Sequence, residues 1–151
     1  MINRVLIFAA LMSALSIAHT ATAQDTVPGA IWVMRFSNVA GPKRVAIGAF
    51  RIQNGQMFQP PLDVDMSPKD FDRDQFTRPV GTSVENKKTH KNRFNFEDAV
   101  VYKAGQEPSA KTKLQFSGVG FASLQKIGHW EGHFTNSDGV NFEFSCKRVI
   151  E

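Results

Sequence analysis

The stretch HWEGHFTNSDGVNFEFSCK, residues 129–147, decides the fold of this chain because it predicts an antiparallel hairpin in a single register. Its centre, NSDG at 136–139, suits a type I turn followed by a left-handed glycine, which places Asn136 opposite Val140. Because a slip of one residue would mix apolar and polar side chains, their separation onto two faces supports this turn. One face pairs Phe134 with Phe142, Gly132 with Phe144 and Trp130 with Cys146, and the other pairs His133 with Glu143, Glu131 with Ser145 and His129 with Lys147.

Upstream segments extend the pattern toward the start of the chain. Residues 30–36 and 44–53 are rich in β-forming side chains, and the turn sequence AGPK separates them at 40–43. An Asn-Gly pair at 54–55 suits a type I′ turn that leads into a short strand at 57–59. These segments predict three antiparallel strands in succession.

Glycines interrupt the alternation of the segment at 111–121. Leu114 and Phe116 share one phase of a period-two pattern, whereas Val119 and Phe121 share the other. A change of phase at glycines is typical of a β-bulge or a barrel corner. We therefore expect this strand to bend at its glycines.

One stretch, 62–77, has few large apolar side chains and predicts a helix instead of a strand. Ser67 can cap a helix, Pro68 suits its first position, and Asp70 adds negative charge to the first turn. We expect one or two helical turns lying on the surface of the domain.

These elements together indicate an all-β fold, predicted as a small antiparallel β-barrel or sandwich of about 6–8 short strands with one short helix. Its core would come mainly from phenylalanine, of which the chain has 13. Glycines inside strands favour the barrel, because a closed sheet has to bend. They are Gly48, Gly118, Gly120, Gly128 and Gly132.

Residues 1–23 are predicted to be a cleavable bacterial-type signal peptide. Arg4 precedes an uncharged apolar run at 5–18, and Ala-x-Ala at 21–23 is the pattern that signal peptidase accepts. An uncleaved membrane anchor is the alternative, although a membrane span needs about 20 apolar residues. We expect residues 24–151 to form a single β domain, exported to the periplasm or the extracellular space without stable membrane insertion.

Composition narrows the range of partners. The chain carries 18 Lys and Arg against 14 Asp and Glu, a net charge of +4, which is less basic than dedicated nucleic-acid binders usually are. Cysteine occurs once, at Cys146, so an internal disulfide is excluded. In an oxidising compartment we expect this thiol to be buried beside Trp130.

The sequence NKKTHKNR at 86–93 is a candidate binding loop. Such a loop can bind phosphate, an acidic polysaccharide or an acidic protein surface, and a plain solvated hairpin loop is the alternative. It lacks the interleaved aromatic side chains that stack on bases, so no nucleic-acid partner is expected. Its candidate ligand-binding residues are Lys87, Lys88, His90, Lys91 and Arg93.

An acidic residue, Asp98, lies in the apolar phase of the strand that follows this loop. A regular strand would point the carboxylate inward, where it is costly to bury and requires a partner. Arg51, in phase with Ile47, would be that partner, and the pair would mark a ligand pocket. The alternative is a β-bulge at 97–98 that turns both acids to solvent. The apolar residues of this phase are Phe94, Phe96, Val100 and Tyr102.

The string HWEGH places His129, Glu131 and His133 on one face of a strand, across from Glu143. On a helix two histidines four apart can share a metal, but along a strand they lie roughly 13 Å apart, too far for one ion. We expect a solvated sheet face, no metal site and no cofactor. These four residues are the group to test for catalysis, since nucleophile-elbow and phosphate-loop motifs are absent.

The expected function is that of a small exported β binding protein, non-enzymatic, which engages a protein or an anionic polymer. The alternative is a barrel-type carrier that holds a small apolar ligand among its aromatic side chains. A solidly packed interior would argue against the carrier, and a cavity large enough for a small ligand would favour it.

Overall fold

A computed structural model describes residues 29–150, which form eight antiparallel strands in one closed sheet. Each strand pairs with its neighbours in the chain, and the last pairs with the first. The all-β prediction is confirmed, and of its two architectures the structure has the barrel. The predicted signal peptide at 1–23 lies outside the described residues. The strands are β1 (Ala30–Asn38), β2 (Val45–Gln53), β3 (Gln56–Gln59), β4 (Arg78–Asn86), β5 (Lys91–Lys103), β6 (Lys113–Lys126), β7 (His129–Asn136) and β8 (Asn141–Ile150).

The hairpin of β7 and β8 has the register that the sequence predicts, with every expected cross-strand pair present. Gly139 has a φ of 81°, and the Asn136 amide donates to the Val140 carbonyl over 2.9 Å. Both observations fit a type I turn with a left-handed glycine. The turn residues therefore determine which side chains of this hairpin enter the barrel.

Phenylalanine rings fill the middle of the barrel. Most neighbouring rings meet edge to face, for example Phe96 and Phe134, whose centroids lie 5.5 Å apart. Such contacts stabilise a fold by about 0.5–1.5 kcal/mol each beyond the burial of area. The interior is therefore solid at this level. The buried rings are Phe36, Phe50, Phe94, Phe96, Phe134 and Phe144, with Phe116 and Phe142 packed against them.

Of the β-bulge and the barrel corner expected at the glycines of β6, the β-bulge is wrong, because β6 pairs with β7 without a register shift from Gly118 to Leu124. Phe116, Gly118 and Ala122 lie in one phase on the inner face, whereas Phe121 is 60% exposed on the outer face. A Cβ on Gly118 would lie 2.6 Å from the Phe134 ring. The glycine makes room for a neighbouring ring within this regular part of the strand.

The irregularity lies in β5. Its pairing with β6 shifts between Phe96 and Ala99, and Ala99 continues the core beyond the shift. Val100 and Tyr102 consequently face outward, not inward as a single phase would require. Both are still buried, because the connection at 60–77 covers them.

This connection from β3 to β4, residues 60–77, is called the strap. Its helical turn lies at Arg73–Gln75 with Asp72 as the cap, so the helix predicted to start at Ser67 is wrong in position. Phe76, which is fully buried, anchors the strap to the barrel. So short a helix has little stability of its own, and contacts with the barrel decide where the turn forms.

Polar contacts also hold the strap against the barrel. The Lys113 ammonium lies 2.8 Å from the Asp65 carboxylate and donates to the Leu62 carbonyl over 2.7 Å. The Tyr102 hydroxyl donates to the same carboxylate over 3.4 Å. Burial raises the pKa of Tyr102.

Gln59 closes a gap that the short β3 leaves between β2 and β5. Its amide nitrogen donates to the carbonyls of Ala49 (3.1 Å) and Val100 (2.7 Å), and its amide oxygen accepts from the Val100 amide over 2.7 Å. Beyond this point β2 pairs directly with β5, with Ile47 opposite Tyr102. The side chain of Gln59, only 3% exposed, thus takes the place of a strand backbone.

Candidate ligand site at the open end of the barrel

Three chain reversals meet at one end of the barrel, which we call the open end. They are the β2–β3 turn at 54–55, the β4–β5 loop at 87–90 and the β6–β7 turn at 127–128. The strap and the other three reversals lie at the opposite end, because successive strands run in opposite directions. The phenylalanine cluster separates the two ends.

The open end contains a cleft of about 640 Å3. This volume falls within the range of about 300–1,000 Å3 that is typical of small-ligand sites. Both tryptophans of the chain line it, together with aliphatic side chains and a few polar groups. The lining residues are Trp32, Ile52, Asn54, Gly55, Ser83, Val84, Glu85, Asn92, Phe94, Leu124, Ile127, Gly128, Trp130, Cys146 and Arg148.

One wall of the cleft is built by β1, β8 and β7. Trp32 lies opposite Arg148 on β8, and Trp130 lies opposite Cys146 two residues earlier on the same strand. Alternation along each strand puts all four side chains on the inner face. The wall is therefore aromatic, with a single guanidinium near its rim.

Trp32 and Gly128 both lie beside Arg148. Its guanidinium carbon lies 5.8 Å from the centre of the Trp32 ring. Its backbone amide donates to the Gly128 carbonyl over 2.8 Å, and a Cβ on Gly128 would lie 3.6 Å from the Arg148 Nε. Glycine suits this turn because its φ of 77° lies in the left-handed region, which other residues rarely adopt.

The opposite wall is more polar. The Ser83 hydroxyl donates to the Asn92 side-chain oxygen over 3.2 Å, and both residues are buried. Glu85 lies closer to the rim of the cleft and is exposed. Because β4 and β8 are four strands apart in a ring of eight, Glu85 and Arg148 lie on opposite sides of the opening.

The structure places the predicted basic loop at the open end. Its charged and imidazole side chains are all exposed, and the Asn86 side-chain oxygen accepts from the amides of Lys88 (3.0 Å) and Thr89 (3.2 Å). His90 has a φ of 54°, and its carbonyl accepts from the Leu124 amide over 2.9 Å. The loop is thus held by backbone contacts while its basic side chains point to solvent; these are Lys87, Lys88, His90, Lys91 and Arg93.

Arg93 leaves the loop on the outer face of the barrel. Its guanidinium carbon lies 5.7 Å from the ring centre of the exposed Phe121, and a groove of about 340 Å3 runs between Phe121, Val84 and Lys91. Phe121 comes from β6, about thirty residues further along the chain than the loop. No pattern within the loop therefore predicts that an aromatic side chain lies beside the basic residues.

Asp98 and Arg51 do not form the inward-facing pair that the sequence predicts. Asp98, with a φ of 48°, occupies the β-bulge of β5 and is exposed, as the alternative interpretation held. Arg78, rather than Arg51, reaches this bulge and donates to the Asp98 carbonyl over 2.7 Å. A β-bulge reverses the face to which the following residues point, so the alternation of a regular strand predicts the wrong face for Asp98.

Arg51 lies on the outer face of β2, beneath the strap. Its Nε donates to the Phe76 carbonyl over 3.0 Å, and its guanidinium carbon lies 4.1 Å from the centre of the Phe58 ring. Burial lowers its pKa from the usual arginine value. This arginine helps to hold the strap against the barrel, and its side chain does not point into the interior.

The H-x-E-x-H string lies on the outer face of β7. The His129 Nε2 atom is 3.0 Å from a Glu131 carboxylate oxygen, and His133 lies opposite Glu143 on β8. A groove of about 550 Å3 here also contains Arg35. Within residues 29–150 no group of three or more His, Cys, Asp or Glu side chains is arranged to hold a metal ion.

Cys146 lies where the sequence placed it, opposite Trp130, and it is fully buried at the floor of the cleft. Burial raises the pKa of this thiol well above its usual value, because the thiolate would lose its solvation. The group is therefore a packing element of the floor.

Sequence reasoning missed the cleft itself, including Trp32, Ile52, Leu124 and Arg148. One signal was available: both tryptophans lie near the start of strands that run in the same direction, on the phase that faces inward. No protein-family model, curated protein or solved structure matches this chain. In the part of the chain described here, no helix has the length and apolarity to cross a bilayer.

Proposed function

We propose that this protein is a non-enzymatic binding protein that holds a small, largely apolar ligand in the open end of its barrel. The observation that carries the proposal is the cleft of about 640 Å3 lined by Trp32, Trp130, Ile52 and Leu124. Apolar walls with a few polar groups are typical of small-ligand sites. The phenylalanine cluster closes the floor, so the ligand enters and leaves through the same opening.

The proposal includes export. A signal peptide at 1–23 would deliver the domain to the periplasm or the extracellular space, and the burial of Cys146 is compatible with an oxidising compartment. Expression in a bacterium, followed by fractionation and N-terminal sequencing, tests this part. We expect the protein in the periplasm or medium to begin at Gln24. A full-length chain retained in the cytoplasm would contradict export.

A neutral apolar dye such as N-phenylnaphthylamine tests the cleft. We expect its emission to rise on binding and the emission of Trp32 and Trp130 to be quenched. The variant L124W places an indole ring in the cleft and should weaken dye binding about tenfold, because the ring takes up space that the dye would occupy. The matched control is L114W, the same change near the other end of β6, which should bind the dye as the parent does. Equal binding by both variants would contradict the proposed site.

A second candidate function is the binding of an anionic protein or polymer by the basic loop. It is favoured by the exposure of Lys87, Lys88 and Lys91 beside the Phe121 groove. The triple charge reversal of these lysines to glutamate should abolish retention on an anionic polysaccharide column. The matched control reverses three exposed lysines outside the open end, Lys43, Lys69 and Lys111. Equal retention of both variants would remove the loop from consideration.

A further inference from the structure

We infer that the ligand of the open end is an apolar molecule with a neutral carbonyl group, which accepts a hydrogen bond from the Asn92 side-chain amide. The inference rests on the proposed function and adds the chemical class of the ligand. It depends on one buried donor that lines the cleft and on the contact that fixes the orientation of this donor.

Asn92 is a polar residue in apolar surroundings. It lies on the inner face of β5 between the exposed Lys91 and Arg93, lines the cleft, and is only 8% exposed. Phe94 is its neighbour on the same face of β5, and Ala122 lies opposite it on β6. Neither of these two side chains carries a polar atom. A donor in such a place loses hydrogen bonds to water unless an acceptor replaces them.

Ser83 determines which end of the Asn92 amide remains available. Its hydroxyl donates to the Asn92 Oδ1 atom over 3.2 Å. Ser83 is itself only 9% exposed, and its backbone amide donates to the Gly55 carbonyl over 2.8 Å, so the β2–β3 turn holds it in place. The Asn92 Nδ2 group is left as the donor, and within residues 29–150 no protein group accepts a hydrogen bond from it.

Glu85 is the acidic neighbour of this donor. It lies opposite Asn92 on β4, but it is exposed at the rim, and in the described part of the chain no hydrogen bond joins the two side chains. An anionic acceptor at Asn92 would be repelled by the carboxylate on this neighbouring strand. The carbonyl of a ketone, ester or amide is an acceptor without charge, and it therefore fits the Asn92 amide better than a carboxylate or phosphate does.

The apolar part of the ligand has a separate surface to contact. Trp32, Ile52 and Leu124 are half-buried and line the same cleft. Leu124 follows Ala122 by two residues on β6, so it lies on the same face and nearer to the open end. The ligand can thus place its carbonyl at Asn92 and its apolar part nearer to the opening. Burial of apolar area supplies the affinity, and the buried donor supplies selectivity, because a ligand without an acceptor leaves it unpaired.

The experiment compares 2-acetylnaphthalene with 2-ethylnaphthalene, which share a skeleton and differ only in that a carbonyl group replaces a methylene group. Competition with the neutral dye gives a dissociation constant for each compound. The ratio of the two constants measures how strongly the cleft prefers the carbonyl, and comparing this ratio between variants cancels the different hydrophobicity of the two compounds.

The variant N92L removes the donor and keeps a side chain of similar size. We expect the ratio to shift by about tenfold against the ketone, since one hydrogen bond to a buried donor is lost. The matched control is N95L, the same change on the outer face of β5, where the Asn95 amide donates to the Thr82 hydroxyl over 3.3 Å. N95L should keep the parent ratio within about twofold.

A measurement on the parent protein decides the question if N92L does not fold. A hydrogen bond to a carbonyl oxygen raises the carbon-13 chemical shift of the carbonyl carbon. We therefore expect bound 2-acetylnaphthalene, labelled at this carbon, to have a higher chemical shift than the same compound dissolved in hexane.

The outcomes separate the two proposals. If folded N92L keeps the parent ratio, or if the bound carbonyl carbon has the chemical shift that it has in hexane, the carbonyl inference is overturned and the apolar cleft stands. If the dye itself does not bind to the parent protein, the proposed function fails.

Discussion

The substitution Q59L tests whether one side chain replaces a missing strand. Gln59 is 3% exposed and makes three hydrogen bonds to the backbones of Ala49 and Val100. At about 1 kcal/mol for each net hydrogen bond, their loss amounts to about 3 kcal/mol, and burying leucine in place of the amide recovers roughly 1 kcal/mol. We therefore expect the free energy of unfolding to fall by about 2 kcal/mol.

Urea unfolding followed by tryptophan fluorescence and circular dichroism measures this change. The matched control is Q115L, the same replacement at an exposed position of β6, which should stay within about 0.5 kcal/mol of the parent. A loss in Q59L no larger than that of the control would refute the bridging role.

A second variant, Q59E, adds a pH dependence. The introduced carboxyl faces two carbonyl oxygens in a buried position, so its pKa in the folded protein lies above the unfolded value of about 4.3. The unfolded state then loses this proton first. The stability of Q59E should be greatest below pH 4 or so, and should fall as pH rises through the unfolded pKa.

Three further predictions concern the core and the strap. G132A should destabilise the barrel by about 3 kcal/mol in urea unfolding, since its Cβ would collide with the Phe121 backbone. G120A, whose Cβ meets the Phe144 ring at 3.6 Å, should change stability by less than about 1 kcal/mol. Equal effects of the two variants would contradict this account of the glycines. Tyr102, the chain's single tyrosine, should titrate above pH 10 or so in absorbance at alkaline pH: its raised pKa means that stability is full below the unfolded value of about 10 and is lost as pH rises above it. Cys146 should resist alkylation in native protein and react only after unfolding, and rapid native labelling would show that the cleft floor is open.

Local chemistry explains most of what could be predicted about the fold. The glycine turns at 54–55 and 136–139 fix hairpins of known register, and alternation between them assigns the faces of β7 and β8. β4 escaped prediction because, of its nine residues, only Val80 and Val84 are large and apolar. Its place in the barrel depends on pairing with β3 and β5, which a local pattern does not contain.

The candidate site was predictable only in part. The basic loop follows from composition, because five basic or imidazole side chains within 86–93 have no neutralising acid among them. The cleft does not follow from local sequence, because Trp32 and Trp130 are about a hundred residues apart and line one cleft only when β8 pairs with both of their strands. Alternation by itself could not decide between a regular strand and a β-bulge at Asp98, and the structure has the bulge.

The sequence by itself determined an all-β domain, its principal turns, the register of the last hairpin and the burial of Cys146 beside Trp130. Tertiary structure decided that the sheet closes, that the strap covers Val100 and Tyr102, and that one end stays open. The physical reason is the range of the interactions involved. Turn and alternation preferences act between residues a few positions apart, whereas closure and the cleft depend on side chains brought together from distant strands.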